Sequence, residues 1–279
     1  MTTDNKCLTS RQIIAGTEPV IMGILNVTPD SFSDGGEFDR VEAAVAHAIE
    51  MQAQGASIID IGGESTRPGA QPVDAIQEIE RVVPVIESIR QQSDIPISID
   101  TSKPAVMKAA VLAGANIIND VNALRAEGAV ECCAELGVPV CLMHMQGEPR
   151  TMQKSPEYSD VVEEVSDFLL ARAKACMDAG ISKQQIVLDP GFGFGKNLGH
   201  NLQLLSRLDE FTALDFPILV GVSRKTMLGA ILDRPVDERV IGSIAAVVLA
   251  YGKGARWFRV HDVAETSDAL KICTALDQA

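Results

Sequence analysis

Arg259-Val-His261 sets a guanidinium and an imidazole two residues apart at the end of an apolar run. If that run is a strand, the two side chains share a face. A fork of donors beside a ring nitrogen then suits a phosphate or pyrophosphate. Other polar residues stand in the same way where apolar runs stop: Asn26; Glu64, Thr66 and Arg67; Asp100; Asn119; His144; Asp189; Ser223 and Lys225. Core packing asks for none of them, because charged side chains are rarely buried without partners. His47 and His200 sit within or just before helical patterns and read as surface or capping residues.

Asp100 and Asp189 admit three uses: metal ligands, a general acid and base, or acceptors for a heterocycle with paired N–H donors. A pterin or guanine edge presents a ring N–H beside an amino group, and Asn119 can donate to or accept from such an edge. Spacing does not separate the three. Gly191-Phe-Gly-Phe-Gly-Lys196 fails as a phosphate loop, since G-x-x-x-x-G-K-[ST] would place Gly where Pro190 stands and Ser or Thr where Asn197 stands. It reads as a flexible loop whose glycines let the chain approach a flat ring, with Phe192 or Phe194 as a wall. Gly62-Gly-Glu-Ser-Thr-Arg-Pro-Gly69 is a polar loop with one cation, of the kind that closes over substrate. Asn26, Asp30 and Asp34 offer oxygen ligands without Cys or His, which suits Mg2+ better than zinc.

The elements that must position these groups follow from the apolar pattern. Strand-like runs occupy residues 20–25, 57–61, 95–100, 116–119, 139–143, 186–188, 218–222 and 256–260. Helical patterns lie between them, at about 39–54, after Asp74 as N-cap, after Lys103-Pro104, and at about 128–136, 160–179, 201–211, 227–232, 237–251 and 263–275. Continuous apolar strands suit a parallel sheet covered by helices. The count predicts one α/β domain over residues 1–279, a closed (β/α)8 TIM barrel whose polar strand ends converge on one mouth. Residues 1–19 form an N-terminal extension, with Ile13-Ile14 and Gly16 read as a short hairpin closing the bottom. A dinucleotide fold would want G-x-G-x-x-G after the first strand, where Asn-Val-Thr-Pro-Asp stands instead.

A formal charge of −14 argues against a nucleic-acid partner but leaves anionic small molecules open, since local cations can focus a field. No apolar run reaches the roughly 20 residues of a membrane span. The first ten residues lack a signal-peptide pattern, so a cytoplasmic location is expected. The six cysteines show no metal spacing and read as reduced thiols. Residues 241–251 are apolar nearly all round, as in a buried helix or a subunit interface.

Taken together, these segments resemble the dihydropteroate synthase family, the folate-pathway enzymes that are the target of sulfonamides. The most specific matches are Gly23-Ile-Leu-Asn-Val-Thr-Pro-Asp-Ser-Phe-Ser-Asp-Gly-Gly36 and Asp60-Ile-Gly-Gly-Glu-Ser-Thr-Arg-Pro-Gly69. Asp100-Thr-Ser-Lys-Pro104, Asn119-Asp120, residues 188–196, Ser223-Arg-Lys225 and Arg259-Val-His261 match as well. The resemblance implies a pterin-binding TIM barrel that joins 4-aminobenzoate to a hydroxymethyl dihydropterin pyrophosphate with Mg2+, and it implies a homodimer. It implies that Asp100, Asn119, Asp189 and Lys225 hold the pterin, that Asn26 ligates Mg2+, and that Arg259 and His261 hold the pyrophosphate. Thr66, Arg67 and Ser223 would lie near the aminobenzoate, with Phe32, Pro68 and Phe194 as apolar walls and Met143 also in the substrate pocket. Asp100, Lys225, Arg259 and His261 would carry the chemistry. The rival reading is a pterin- or folate-binding module of a methyltransferase system, which would have no use for an anion site.

Overall fold

The computed structural model describes residues 16–28, 37–65, 71–147, 151–153 and 155–279. Strands and helices alternate through the first half: β1 (Val20–Asn26), α1 (Glu37–Gln54), β2 (Ile58–Gly62), α2 (Ala75–Arg90), β3 (Ile97–Asp100), α3 (Pro104–Ala113), β4 (Ile117–Asp120) and α4 (Ala129–Leu136). The second half continues with β5 (Val140–Met143), α5 (Val161–Asp178), β6 (Ile186–Asp189), α6 (Leu198–Ser206), α7 (Leu208–Thr212) and β7 (Leu219–Val220). It ends with α8 (Thr226–Leu232), α9 (Val240–Gly252), β8 (Trp257–Val260) and α10 (Val263–Asp277). All pairings are parallel, in the order β6-β5-β4-β3-β2-β1-β8-β7. One further parallel bridge, Leu188 to Ile218, joins the two ends of that order and closes the ring. The fold is therefore the (β/α)8 barrel that the spacing predicts.

Two apolar layers build it. Outward residues such as Ile59, Ile61, Ile99, Ile118, Leu142 and Leu188 pack with the helices in the large core. Inward residues Val20, Met22, Ile58, Ile117, Cys141, Val187, Leu219 and Trp257 form a separate cluster that fills the ring. Two residues further along those strands stand Asp60, Asn119, Met143, Asp189 and Arg259. The pleat keeps residues i and i+2 on one face. On β2, β4, β6 and β8 the interior thus changes from apolar to polar in one step, toward the C-terminal ends of the strands.

Local signals explain most element ends. Asp74 caps α2 by accepting from Gln77 N at 2.9 Å. Gly137 ends α4 with φ 64°, a conformation glycine adopts without cost. Two helices differ from expectation. The pattern at 201–211 starts earlier, because Asn197 caps α6 by accepting from His200 N at 2.8 Å while its own N–H meets the His200 ring. It also breaks at Arg207, whose φ of −111° separates α6 from α7. The pattern at 237–251 opens as a 3-10 turn, Val236–Glu238, before α9. The expected hairpin at Ile13-Ile14 lies outside the described residues.

Candidate active site

A cleft with about 470 Å3 of open space, part of it facing solvent, occupies the polar end of the barrel. Among the expected residues, Asp100, Asn119, Asp189, Lys225, Arg259 and His261 line it, each from a different strand or strand end except the last two, which share β8. Met143, Phe194 and Ser223 line it as well. Asn26 ends β1 beside Gly62 of β2. A methyl built on Gly62 would lie 3.7 Å from Asn26 Oδ1 and 3.8 Å from Asp100 Oδ2, so two oxygens border one small space. Phe32, Thr66, Arg67 and Pro68, with Asp30 and Asp34, lie outside the described residues.

Asp60 is the site residue that the sequence reading passed over. It stands inside β2, wholly buried, rather than at the strand's end. Its Oδ2 accepts from Arg259 Nε at 2.6 Å and from Asn119 Nδ2 at 3.2 Å. An acid inside the run Ile58-Ile-Asp-Ile61 was the available signal. Arg259 Nη2 also donates to Asp100 Oδ2 at 2.9 Å, so one guanidinium ties two carboxylates together. Asp60 takes one amide N–H of Asn119, which lines the cleft and keeps Oδ1 as an acceptor.

Burial and pairing set the charges. Burial pushes Asp100 up to about 7; Arg259 pulls down, while Asp60, Asp120 and Glu78 push further up. Burial also raises Asp189, against Gly191 N donating to its Oδ1 at 2.7 Å and the pull of Lys225, Lys196 and Arg259. Burial lowers Lys225 to about 8, opposed by Asp189. The Lys225 ammonium donates to Phe192 O at 2.7 Å and lies 4.1 Å from the centre of the Phe194 ring. Arg259 moves the other way: burial disfavours its charge, but Asp60 and Asp100 outweigh burial and hold it protonated.

Ser223-Arg224-Lys225 turns sharply after β7. Arg224 takes φ 56°, the left-handed region that costs a non-glycine residue about 1 kcal/mol. The turn lets Ser223 and Lys225 both line the cleft while Arg224 pairs with Asp262, Nε to Oδ2 at 3.1 Å. Ser243 Oγ accepts from Arg224 N at 2.9 Å, and Arg239 donates to Arg224 O at 3.1 Å, which fixes the conformation. Ser223 Oγ lies 3.0 Å from His261 Nδ1 and accepts from His261 N at 3.2 Å.

The glycine-rich loop corrects one expectation. It is pinned rather than flexible: Gly193 N donates to Asn201 Oδ1 at 2.7 Å, and Tyr158 OH donates to Gly195 O at 2.8 Å. Phe192, buried in the core, and Phe194, packed with Met143 and Met145, both line the cleft. Glu64 and His144, two of the polar strand-end residues, are also taken up internally. Glu64 Oε1 accepts from Val73 N at 3.0 Å, and its other oxygen pairs with Lys103, which also holds the buried Glu78. His144 lies against Phe168 with ring centres 4.9 Å apart.

Among the described residues no group of three or more His, Cys, Asp or Glu could hold a metal ion. Mg2+ fits the oxygens present, because it keeps several waters and takes phosphate oxygens, needing only one or two protein oxygens such as those beside Gly62.

Residues 22–261 match the model of a family described as pterin binding enzyme. A dihydropteroate synthase from Haemophilus influenzae is 51% identical over 276 residues, covering 99% of this chain and 98% of that one. A crystal structure of the Yersinia pestis dihydropteroate synthase with a sulfonamide drug complex superposes with a TM-score of 0.90 at 51% identity, over 94% of this chain and 96% of that one. A Xanthomonas albilineans dihydropteroate synthase in complex with 7,8-dihydropteroate gives 0.86 at 49% identity, over 94% and 95%.

Proposed function

The chain belongs to the dihydropteroate synthase family of pterin-binding enzymes, and from that premise we propose how its barrel mouth divides the work of the reaction. It is a transferase that condenses 6-hydroxymethyl-7,8-dihydropterin pyrophosphate with 4-aminobenzoate, releasing pyrophosphate and 7,8-dihydropteroate. The observation that carries the assignment of roles is the convergence of Asp100, Asn119, Asp189, Lys225, Arg259 and His261 on one cleft.

In this reading the pterin lies flat at the polar floor. Asp189 accepts from its paired N–H donors, and Asn119 Oδ1 and Asp100 accept from the rest of its edge. Lys225 donates to a ring acceptor, and Met143 packs against the ring. Arg259 and His261 receive the pyrophosphate; the Nη1 of Arg259 has no protein partner among the described residues, so it is available without breaking the ties to Asp60 and Asp100. Thr66, Arg67 and Ser223 meet the aminobenzoate, with Phe32, Pro68 and Phe194 as its walls. Mg2+, held through Asn26, would neutralise charge on the leaving pyrophosphate.

Displacement then follows from charge. As the leaving group departs, the ring-stabilised CH2 gains positive character, which the ionised Asp100 favours. An aniline nitrogen attacks without prior deprotonation, so no Ser–His nucleophile and no covalent enzyme intermediate are required. Positioning and fixed charge supply the rate. The methyltransferase-module reading gains nothing from the Arg259–His261 pair and is set aside.

A homodimer is part of the proposal. α9 leaves Ile241 81% and Leu249 60% exposed, and Ile231 of α8 and Ile272 and Leu276 of α10 are exposed too. Such apolar helix faces suit a second copy. The five described cysteines are all free thiols, which supports a reducing, cytoplasmic setting. The pure protein, mixed with the pterin pyrophosphate, aminobenzoate and Mg2+, should yield dihydropteroate by mass spectrometry. Unreacted substrates after prolonged incubation would overturn the proposal.

A further inference from the structure

Lys196 ends the glycine-rich loop after β6, and nothing assigned above uses it. It is 2% exposed, where an ammonium must find acceptors. Its Nζ lies 2.9 Å from His144 Nδ1 and 3.0 Å from the carbonyl oxygens of both Gly191 and Phe194, with His144 O at 3.4 Å. Burial lowers Lys196 to about 7, against the pull of Asp189; when protonated, its three N–H groups meet a ring nitrogen at the end of β5 and two carbonyls within the loop. With Nδ1 accepting, the neutral His144 carries its proton on Nε2. Burial, and then the charge of Lys196, hold that ring neutral far below its ordinary titration range.

The glycines make this seating possible. A Cβ on Gly191 would lie 1.9 Å from His144 O, and one on Gly195 would lie 2.4 Å from Gln146 O. The loop backbone thus presses directly on the chain that follows β5, and Lys196 ties it there from within. Two groups that face the cleft depend on the resulting shape. Asp189 Oδ1 is oriented by Gly191 N, and the Lys225 ammonium is oriented by Phe192 O.

We propose that Lys196, with His144 as its acceptor, is a positioning residue: it holds residues 190–196 in the shape that aims Asp189 and Lys225 at the heterocycle, without itself touching substrate. The proposal rests on the reading of the cleft as a pterin pocket and adds a specific burden, the affinity for the pterin substrate rather than the displacement step.

Lys196→Met keeps the length of the side chain and removes its donors. It should raise KM for the pterin pyrophosphate at least ten-fold while kcat stays within three-fold of wild type. Backbone hydrogen exchange in a peptide covering residues 190–197 should quicken at least ten-fold. His144→Phe keeps a ring against Phe168 but removes the acceptor, and should shift the same KM in the same direction; His144→Asn, which restores an acceptor near the Nδ1 position, should recover most of that loss. If Lys196→Met does not fold, the His144 pair carries the test. A pterin KM within two-fold of wild type, a fall in kcat with KM unchanged, or unaltered exchange in the loop would overturn the role of Lys196. Wild-type turnover in the same assay separates that failure from a failure of the pterin reading, which an inactive wild type would sink along with it.

Discussion

Arg259 Nε and Asp60 Oδ2 meet at 2.6 Å although 199 positions separate them in the chain. Asp60 is not at the place where strand ends alone would direct attention. Asp60 sits one step of the pleat above the apolar filling of the ring, and it fixes Arg259 and Asn119 at once. Removing its charge should therefore disturb two ligand-facing groups together. Asp60→Asn should lower stability by about 2 kcal/mol, below the 3–5 kcal/mol typical of a fully buried broken pair, because Arg259 retains Asp100 and some exposure. It should also lower kcat/KM for the pterin substrate more than ten-fold. Urea melts and steady-state kinetics on one preparation check both; a variant with wild-type kinetics would remove Asp60 from the site's framework.

Asp189 faces the cleft with one oxygen held by Gly191 N, which leaves the other for ligand. Asp189→Ala should cost about 2–5 kcal/mol of pterin affinity, as for loss of one partner of a buried charged hydrogen bond. Titration calorimetry with a pterin ligand measures it. A loss under about 0.5 kcal/mol would take Asp189 out of the pocket.

The pH profile follows from two opposed shifts. Asp100, raised to about 7 by burial, loses its proton and gains its useful charge as pH rises through that value. Lys225, lowered to about 8 by burial, loses its useful charge as pH rises further. kcat/KM for the pterin substrate should therefore rise through about pH 7 and fall through about pH 8, and since the groups interact, both limbs belong to the coupled set. Lys225→Arg keeps a cation at all working pH and should move the alkaline limb up by more than about one pH unit. A flat profile between pH 6 and 9 in the wild type would contradict the charge assignment.

Metal removal gives an independent check. Asn26 offers a single amide oxygen beside the space next to Gly62, so a bound Mg2+ would be held largely by water and substrate oxygens and should exchange easily. EDTA should suppress turnover and added Mg2+ should restore it. Full activity in chelator would rule out the proposed part of Asn26.

Much of this site could be read from the chain because a barrel turns sequence order into geometry. Asp100, Asp189, Lys225 and His261 were visible as polar residues where apolar runs stop, and the ring brings such ends together. Asp60 was hidden because it lies within its strand, and only its bonds to Asn119 and Arg259 show that it faces inward. Lys196 belongs to a loop that fails a phosphate-binding pattern; its burial comes with Gly191 and Gly195 letting two backbones touch, which no side-chain spacing reports. The break at Arg207 likewise depends on tertiary ties, since Arg207 holds Asp160 at the start of α5 while pairing with Glu210.

The staves of this cask are not equally bound. Among the described residues, only the Leu188–Ile218 bridge continues the ladder between β6 and β7, whereas β1 and β2 run in register over five residues. Asp189 stands on one side of that thin join and Ser223 and Lys225 on the other. A planar guest held between Asp189 and Lys225, as proposed, would rest against the stretch of the ring with the fewest paired strand residues.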